Sequence, residues 1–259
     1  MVVKGLDHFR AAFAGDKHPF VVIGGAACDL WFTDQRLPFR PTKDLDVVLI
    51  LEDLNPDFVK KLWDFIGAGG YQFRERGKEA TATLYRFTKP KNTAFPIMLE
   101  ILSRSPENIF PDKQQRIIPI RFQDAPSLSA ILLQPIYYEY LLKNRIELDG
   151  LPVANVDTLV VFKAKAWLDL TARREKGEDV KSKDIKKHRG DVFRLAATLV
   201  GTLPEHLPSE IENDLNAFLE HFHAEAAEWP DILNSIKKTL PKTSPQALIT
   251  ALKDYFQLS

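Results

Sequence analysis

The chain has 259 residues, 45% of them apolar and 27% charged, and its 35 lysines and arginines balance its 35 aspartates and glutamates. That composition is ordinary for a globular chain and excludes a disordered one, while zero net charge argues against indiscriminate nucleic-acid binding. The single cysteine, Cys28, excludes a disulfide within the chain and a cysteine-based zinc site.

The first residues, MVVKGLDHFR, contain no basic stretch leading into an apolar one. No apolar run nears the roughly 20 residues that cross a bilayer, so a cytoplasmic location without a membrane partner is expected. Leu6, Phe9 and Phe13 then fall at helical spacing and predict a short amphipathic helix. Phe20 to Ile23 and Leu45 to Leu51 are apolar runs that predict buried strands. The first breaks on Gly24-Gly25. The second begins with Asp44 and Asp46, which strand alternation puts on one face. Two carboxylates held that close repel unless a cation lies between them, and hard oxygen ligands favour Mg²⁺ or Mn²⁺. The glycine pair lets backbone approach a phosphate closely, and the helix predicted over Ala26 to Phe32 offers free N–H groups to anionic oxygens. Arg40 and Lys43 lie nearest the acids in sequence and are candidates for holding the same phosphates as Gly24 and Gly25.

Asn55-Pro56 has the form of a helix start, with Phe58, Leu62 and Phe65 on the buried face and the glycine cluster 67–70 as its end. Tyr71 to Phe73 and Ala80 to Phe87 predict a hairpin turning near Arg76-Gly77. In Phe95 to Leu102, FPIMLEIL, Glu100 interrupts an otherwise apolar strand. A buried carboxylate costs several kcal/mol unless compensated, either by a metal shared with Asp44 and Asp46 or by an arginine such as Arg104 or Arg121. Ser127 to Tyr140 is expected to be a helix broken at Pro135, with Tyr137 to Tyr140 continuing into a strand. Ile146 to Val153 is expected to be a hairpin turning on Asp149-Gly150.

Val156 to Leu170 predicts a helix capped by Asn155 or Asp157, with Leu159, Phe162, Ala166 and Leu170 on one face and Lys163 and Lys165 interrupting it. From Lys163 to Arg189 there are ten basic and five acidic residues, and from Gly201 to Ser259 four and nine. Lys183, Lys186, Lys187 and Arg189 belong to the densest basic cluster, where an anionic partner such as an RNA backbone would dock. Beyond it, Ser209 with Glu212 predicts a capping box before a stripe of Ile211, Leu215, Phe218, Leu219 and Phe222. Ala247 to Phe256 predicts a last amphipathic helix.

The order strand, Gly-Gly, helix, then a strand opening on Asp44-Leu45-Asp46 resembles the polymerase-β-like nucleotidyltransferases. The eighteen residues between Gly25 and Asp44 exceed the usual spacing of that motif. The later segments KAKAWLDL and KDIKKHRGDVFRL resemble the C-terminal half of the AbiEii/AbiGii toxin-type branch, in which a KxxA helix precedes an RDxxD segment. Lys163 with Ala166 matches the helix lysine, with Lys165 two residues away as its rival. Asp191 matches the first later acid, with Asp184 as its rival, although Gly190 separates it from Arg189 and Arg194 stands where the second acid belongs.

The resemblance implies an α/β (α+β) polymerase-β-like core with a mixed sheet over residues 1–125, a connecting region over 126–155 and a helical domain over 156–259. It further implies a nucleotidyltransferase with Asp44, Asp46 and Glu100 as metal ligands and catalytic acids. Lys163 and Asp191 are implied as catalytic partners, and Gly24, Gly25, Arg40, Lys43 and Lys165 as contacts to a nucleoside triphosphate. Its acceptor would be an RNA, such as a tRNA 3′ end, bound through Lys183, Lys186, Lys187 and Arg189, with a cognate antitoxin as protein partner. A small-molecule nucleotidyltransferase and a catalytically idle binding module on the same fold are the alternatives.

Overall fold

A computed structural model describes residues 3–15, 19–73, 85–105, 117–120 and 128–258. The chain forms two compact units, Met1–Ala154 and Asn155–Ser259. The fold is mixed α/β, as expected. Its first unit holds β1 (Phe20–Ile23), β2 (Asp44–Leu49), β3 (Arg86–Thr88), β4 (Met98–Ser103), β5 (Ile117–Ile120), β6 (Leu128–Leu132), β7 (Arg145–Leu148) and β8 (Leu151–Ala154). These form one mixed sheet in the order β5-β6-β4-β2-β1-β8-β7, with β3 paired to β4. The central strands β2, β4 and β6 run parallel, and β1 runs antiparallel to β2.

Helices α1 (Leu6–Phe13) and α3 (Pro56–Gly69) cover one face of the sheet. Phe9, Phe13, Phe58 and Phe65 gather around one another and Phe20, with ring centroids 4.6 to 6.0 Å apart. Each such ring contributes about 1.5–3 kcal/mol on burial. Cross-strand register places Leu49, Val47 and Leu45 of β2, then Leu99 and Ile101 of β4, on the face of Phe20. Both ends of α3 follow from local chemistry. Asn55 Oδ1 accepts the Phe58 N–H at 2.9 Å with Pro56 at the first helical position, and Gly70 ends the helix at φ 60°.

Three sequence expectations change in the first unit. Leu128–Leu132 is a strand, and helix α4 (Pro135–Lys143) begins at Pro135 instead of breaking there, because proline's fixed φ and missing N–H suit the first turn. Tyr137, Tyr138 and Tyr140 are therefore helical and buried. Tyr138 donates to Glu52 Oε2 at 2.6 Å and accepts the Leu51 N–H, while Arg104 gives Glu52 Oε1 two bonds of 3.0 and 2.7 Å. Burial pushes the Glu52 carboxyl up, but these bonds outweigh it and hold its pKa below the usual value. Finally, β6, β7 and β8 belong to the sheet of the first unit, so residues 128–154 are more than a connection. The expected hairpin turns on Asp149 and Gly150, both at positive φ. The expected turn at Arg76-Gly77 and the candidate partner Arg121 lie outside the described residues.

The second unit contains α5 (Val156–Glu175), α6 (Ser182–Ala196), α7 (Ser209–His221), α8 (Trp229–Ile236) and α9 (Pro245–Phe256). Asn155 caps α5 by accepting the Thr158 N–H at 3.0 Å. The buried face of α5 runs through Val160, Lys163, Ala164, Trp167 and Thr171, while Phe162, Ala166 and Leu170 are only partly covered. The expected stripe is thus rotated, and Lys163 points inward. The expected capping box at α7 does not form. Pro208 is the cap, Ser209 already lies in the first turn, and no side chain caps the helix. Among the described residues no helix is long and apolar enough to cross a membrane. Replacing Asn55 with alanine should cost about 1 kcal/mol in urea unfolding of the whole chain, by loss of the α3 cap.

Candidate active site

Four strands bring the polar residues of the first unit into one row. Ile23 of β1 faces Asp46 of β2, Asp46 lies beside Glu100 of β4, and Glu100 faces Arg86 of β3. Neighbouring partners in a sheet share a face, so this row lies opposite the phenylalanine cluster. Asp44 occupies the next position of the same face, its Cα about 7 Å from that of Asp46 by strand geometry. Burial along β2 reflects this division, with Asp44 and Asp46 half-buried and Leu45 and Val47 buried.

Gly24 ends this row at the β1–α2 junction, where helix α2 (Gly24–Asp34) begins. It sits at φ 69°, a conformation that side chains rarely adopt, and a Cβ there would overlap the Asp46 carboxylate. A Cβ on Gly25 would likewise overlap Thr42 Oγ1, and Arg40 Nη2 lies just beyond it. Both glycines are required by close approach. The helix therefore starts with two residues that bring no side chain of their own, and Asp46 and Thr42 pack into the space this leaves.

Asp44 and Asp46 have the chemistry and the register to hold Mg²⁺ or Mn²⁺. Glu100 departs from the expectation. Its backbone stands beside Asp46, but its carboxylate is bonded to the Arg86 guanidinium, not to Arg104, which is taken by Glu52. Among the described residues no three His, Cys, Asp or Glu side chains are placed as a set that could hold a metal. The aspartate pair fits a hard cation; the three-carboxylate set is not assembled. Burial lowers the Arg86 pKa, but the charges of Glu100, Tyr85 and Asp46 prevail and leave it raised.

Of the other expected phosphate contacts, Arg40 is half-buried over the Phe39 ring at 5.1 Å and lies beside Gly25. Lys43 is exposed, and continuing the alternation of β2 puts it on the side away from Asp44. Two residues of this region carried no sequence signal. Asp29, one turn into α2 and 4% exposed, has its pKa raised by burial against the opposing effects of the Val3 backbone and the Arg40 charge. Arg86 is the other. The alternation Tyr85-Arg86-Phe87-Thr88 marks it as facing away from the core, but only the pairing of β3 with β4 places it on Glu100.

In the second unit the lysine and acid rivals separate. Lys163 Nζ lies 3.2 Å from Asp191 Oδ2, with the two side chains 4% and 0% exposed. Asp191 Oδ1 accepts from Arg194 at 2.8 Å, and Arg194 also donates to the Ser235 carbonyl. Arg194, standing where the toxin-type pattern has a second acid, thus makes a buried triad of one carboxylate and two cations. Lys165 instead meets Asp214 of α7 at 3.0 Å and Asp169 at 3.7 Å, so it does not join Lys163. Asp184 is half-buried in the first turn of α6. In the basic cluster Lys183 is exposed and Lys187 half-buried. Lys186 and Arg189 both bind Asp231, at 2.9 and 2.7 Å; Arg189 is 8% exposed while its partner Asp231 stays half exposed, so the arginine is largely buried under a pair at the surface.

Among solved structures the chain is similar to JHP933 from Helicobacter pylori, with 14% identity over 96% of this chain and 90% of that one and a TM-score of 0.35. It is also similar to a proposed nucleotidyltransferase from H. pylori, with 16% identity over 97% and 90% and a TM-score of 0.34. Scores this low bear on neither activity nor site. No protein-family model and no curated protein matches the chain.

Gly24→Ala should destabilise the chain by about 1–2 kcal/mol from the left-handed backbone alone, with a further loss from displacement of Asp46, measured by urea unfolding. Asp191→Ala, which leaves Lys163 and Arg194 buried without their carboxylate, should cost about 3–5 kcal/mol in the same measurement.

Proposed function

We propose that this chain is a divalent-cation-dependent nucleotidyltransferase of the polymerase-β-like kind, moving a nucleoside monophosphate from a nucleoside triphosphate to a hydroxyl acceptor with release of pyrophosphate. Asp44 and Asp46 on one face of β2, with Asp46 packed against Gly24, carry this reading. Mg²⁺ or Mn²⁺ at the aspartate pair would supply Lewis acidity at the α-phosphate and ease deprotonation of the attacking hydroxyl. The chain's own groups supply the rest. Gly24 admits the Asp46 carboxylate to the start of α2, so that a cation held there would lie close to the helix N-terminus and its triphosphate, and Arg40 beside Gly25 would offset the charge that grows on the leaving pyrophosphate.

The acceptor in this proposal is an RNA, and the biological setting a toxin with a cognate antitoxin. Both come from the resemblance to the toxin-type family, and the exposed Lys183 supports an anionic acceptor. The resemblance implies a catalytic part for Lys163 and Asp191; in the second unit they form a buried ion pair. Because they also tie α5 to α6, Lys163→Met reports on catalysis only where the melting temperature is kept.

The test is incubation with each of the four α-³²P nucleoside triphosphates and Mg²⁺, with total RNA or a panel of aminoglycosides as acceptor. Wild-type protein should label RNA with at least one nucleotide. The double substitution Asp44→Ala with Asp46→Ala should cut the rate at least about 100-fold, equivalent to about 2.7 kcal/mol of barrier. Label on an aminoglycoside but not on RNA would favour the small-molecule alternative, and undiminished labelling by the double variant would contradict the site.

A further inference from the structure

The Arg86–Glu100 pair stands in the same cross-strand row as Asp46, one strand away from it. Glu100 has a side chain only 16% exposed, and its Oε1 is bonded to the Arg86 Nε. A carboxylate in that setting requires a cation, and here the chain provides one itself. The side chain of Arg86 is half exposed, so it can swing away without unpacking the core. Phe87 beside it is fully buried against Trp63, which fixes the strand while the guanidinium stays at the rim.

We propose that Arg86 is a built-in competitor of the divalent cation: it holds Glu100 in the resting protein, and Glu100 joins Asp44 and Asp46 as a metal ligand only when Arg86 lets go. This rests on the proposed metal site and adds a control on its occupancy. The contest is between two cations for one carboxylate, so the guanidinium charge on Oε1 opposes a metal at Glu100 while the aspartate pair serves both forms. A triphosphate arriving at the Gly24–Gly25 turn would favour the exchange, because its oxygens add ligands for the metal and offer the displaced guanidinium a new anionic partner. The protein would therefore bind the metal weakly by itself and more tightly with nucleotide.

Mn²⁺ binding to the full chain, followed by the loss of the free-ion electron paramagnetic resonance signal, tests this without any turnover. Arg86→Gln should tighten Mn²⁺ binding about tenfold, equivalent to about 1.4 kcal/mol, and Arg86→Lys, which keeps the charge but not the planar fork, should fall between. In a Glu100→Gln background the same Arg86→Gln change should gain about twofold or less. Unchanged or weaker binding by Arg86→Gln, in protein whose thermal unfolding matches wild type, would overturn the competition. An equal gain in both backgrounds would also overturn it, since the effect would then bypass Glu100. Binding that is unaffected by Asp44→Asn and Asp46→Asn, or absent from wild type and both Arg86 variants at millimolar Mn²⁺, would instead remove the metal site itself.

Discussion

The approach of Asp46 to Gly24 is the constraint on which the arrangement of the first unit depends. A carboxylate occupies the space that any other residue at position 24 would fill with its Cβ, and the backbone there takes a positive φ. That contact joins the end of β1, the start of α2 and the acidic edge of β2 at one point. It brings negative side-chain charge and the positive end of a helix dipole together at the surface of the sheet. The proposed metal-bound polyphosphate, which carries both signs, would meet both at this junction. The phenylalanine cluster on the opposite face braces the platform, because α1 and α3 press their rings against Phe20 of β1, the strand paired with the one that carries the aspartates.

Charge is handled differently at three places in the molecule. Glu52 is neutralised by Arg104 and tied by Tyr138, a closed network with hydrogen bonds to both carboxylate oxygens. Asp191 is fully buried and faces two cations, which leaves a positive excess inside the second unit. At the candidate site Asp44, Asp46 and Glu100 share one face with Arg86, so three acids gather on the sheet where a divalent cation is proposed to bind. The first network has the form of structural reinforcement.

Much of this was legible from the chain because it rests on local chemistry. The strand entering Gly24-Gly25, the strand opening on Asp44, the Asn55 and Asn155 caps and the Asp149-Gly150 turn all follow from short-range rules of geometry. What was not legible depends on partners distant in sequence. Glu100 was placed correctly on a strand beside β2, but its arginine was sought at Arg104 or Arg121, because β3 pairing with β4 is a tertiary event. Lys163 is picked out in the sequence as interrupting an apolar helix, but the expected apolar stripe is only partly buried and does not show that the lysine faces inward. The stronger influence is Asp191, 28 residues along the chain, which makes the interior hospitable to an ammonium. Pro135 starts α4 instead of breaking a helix, a distinction that the sequence leaves to the neighbouring strand.

The most direct measurement is anomalous diffraction from crystals grown with Mn²⁺ and a non-hydrolysable nucleoside triphosphate. A manganese peak bonded to carboxylate oxygens of both Asp44 and Asp46, with phosphate oxygens at the first N–H groups of α2, is the expected result. A peak elsewhere, or a triphosphate bound away from the Gly24–Gly25 turn, would contradict the assignment of this face as the site of chemistry.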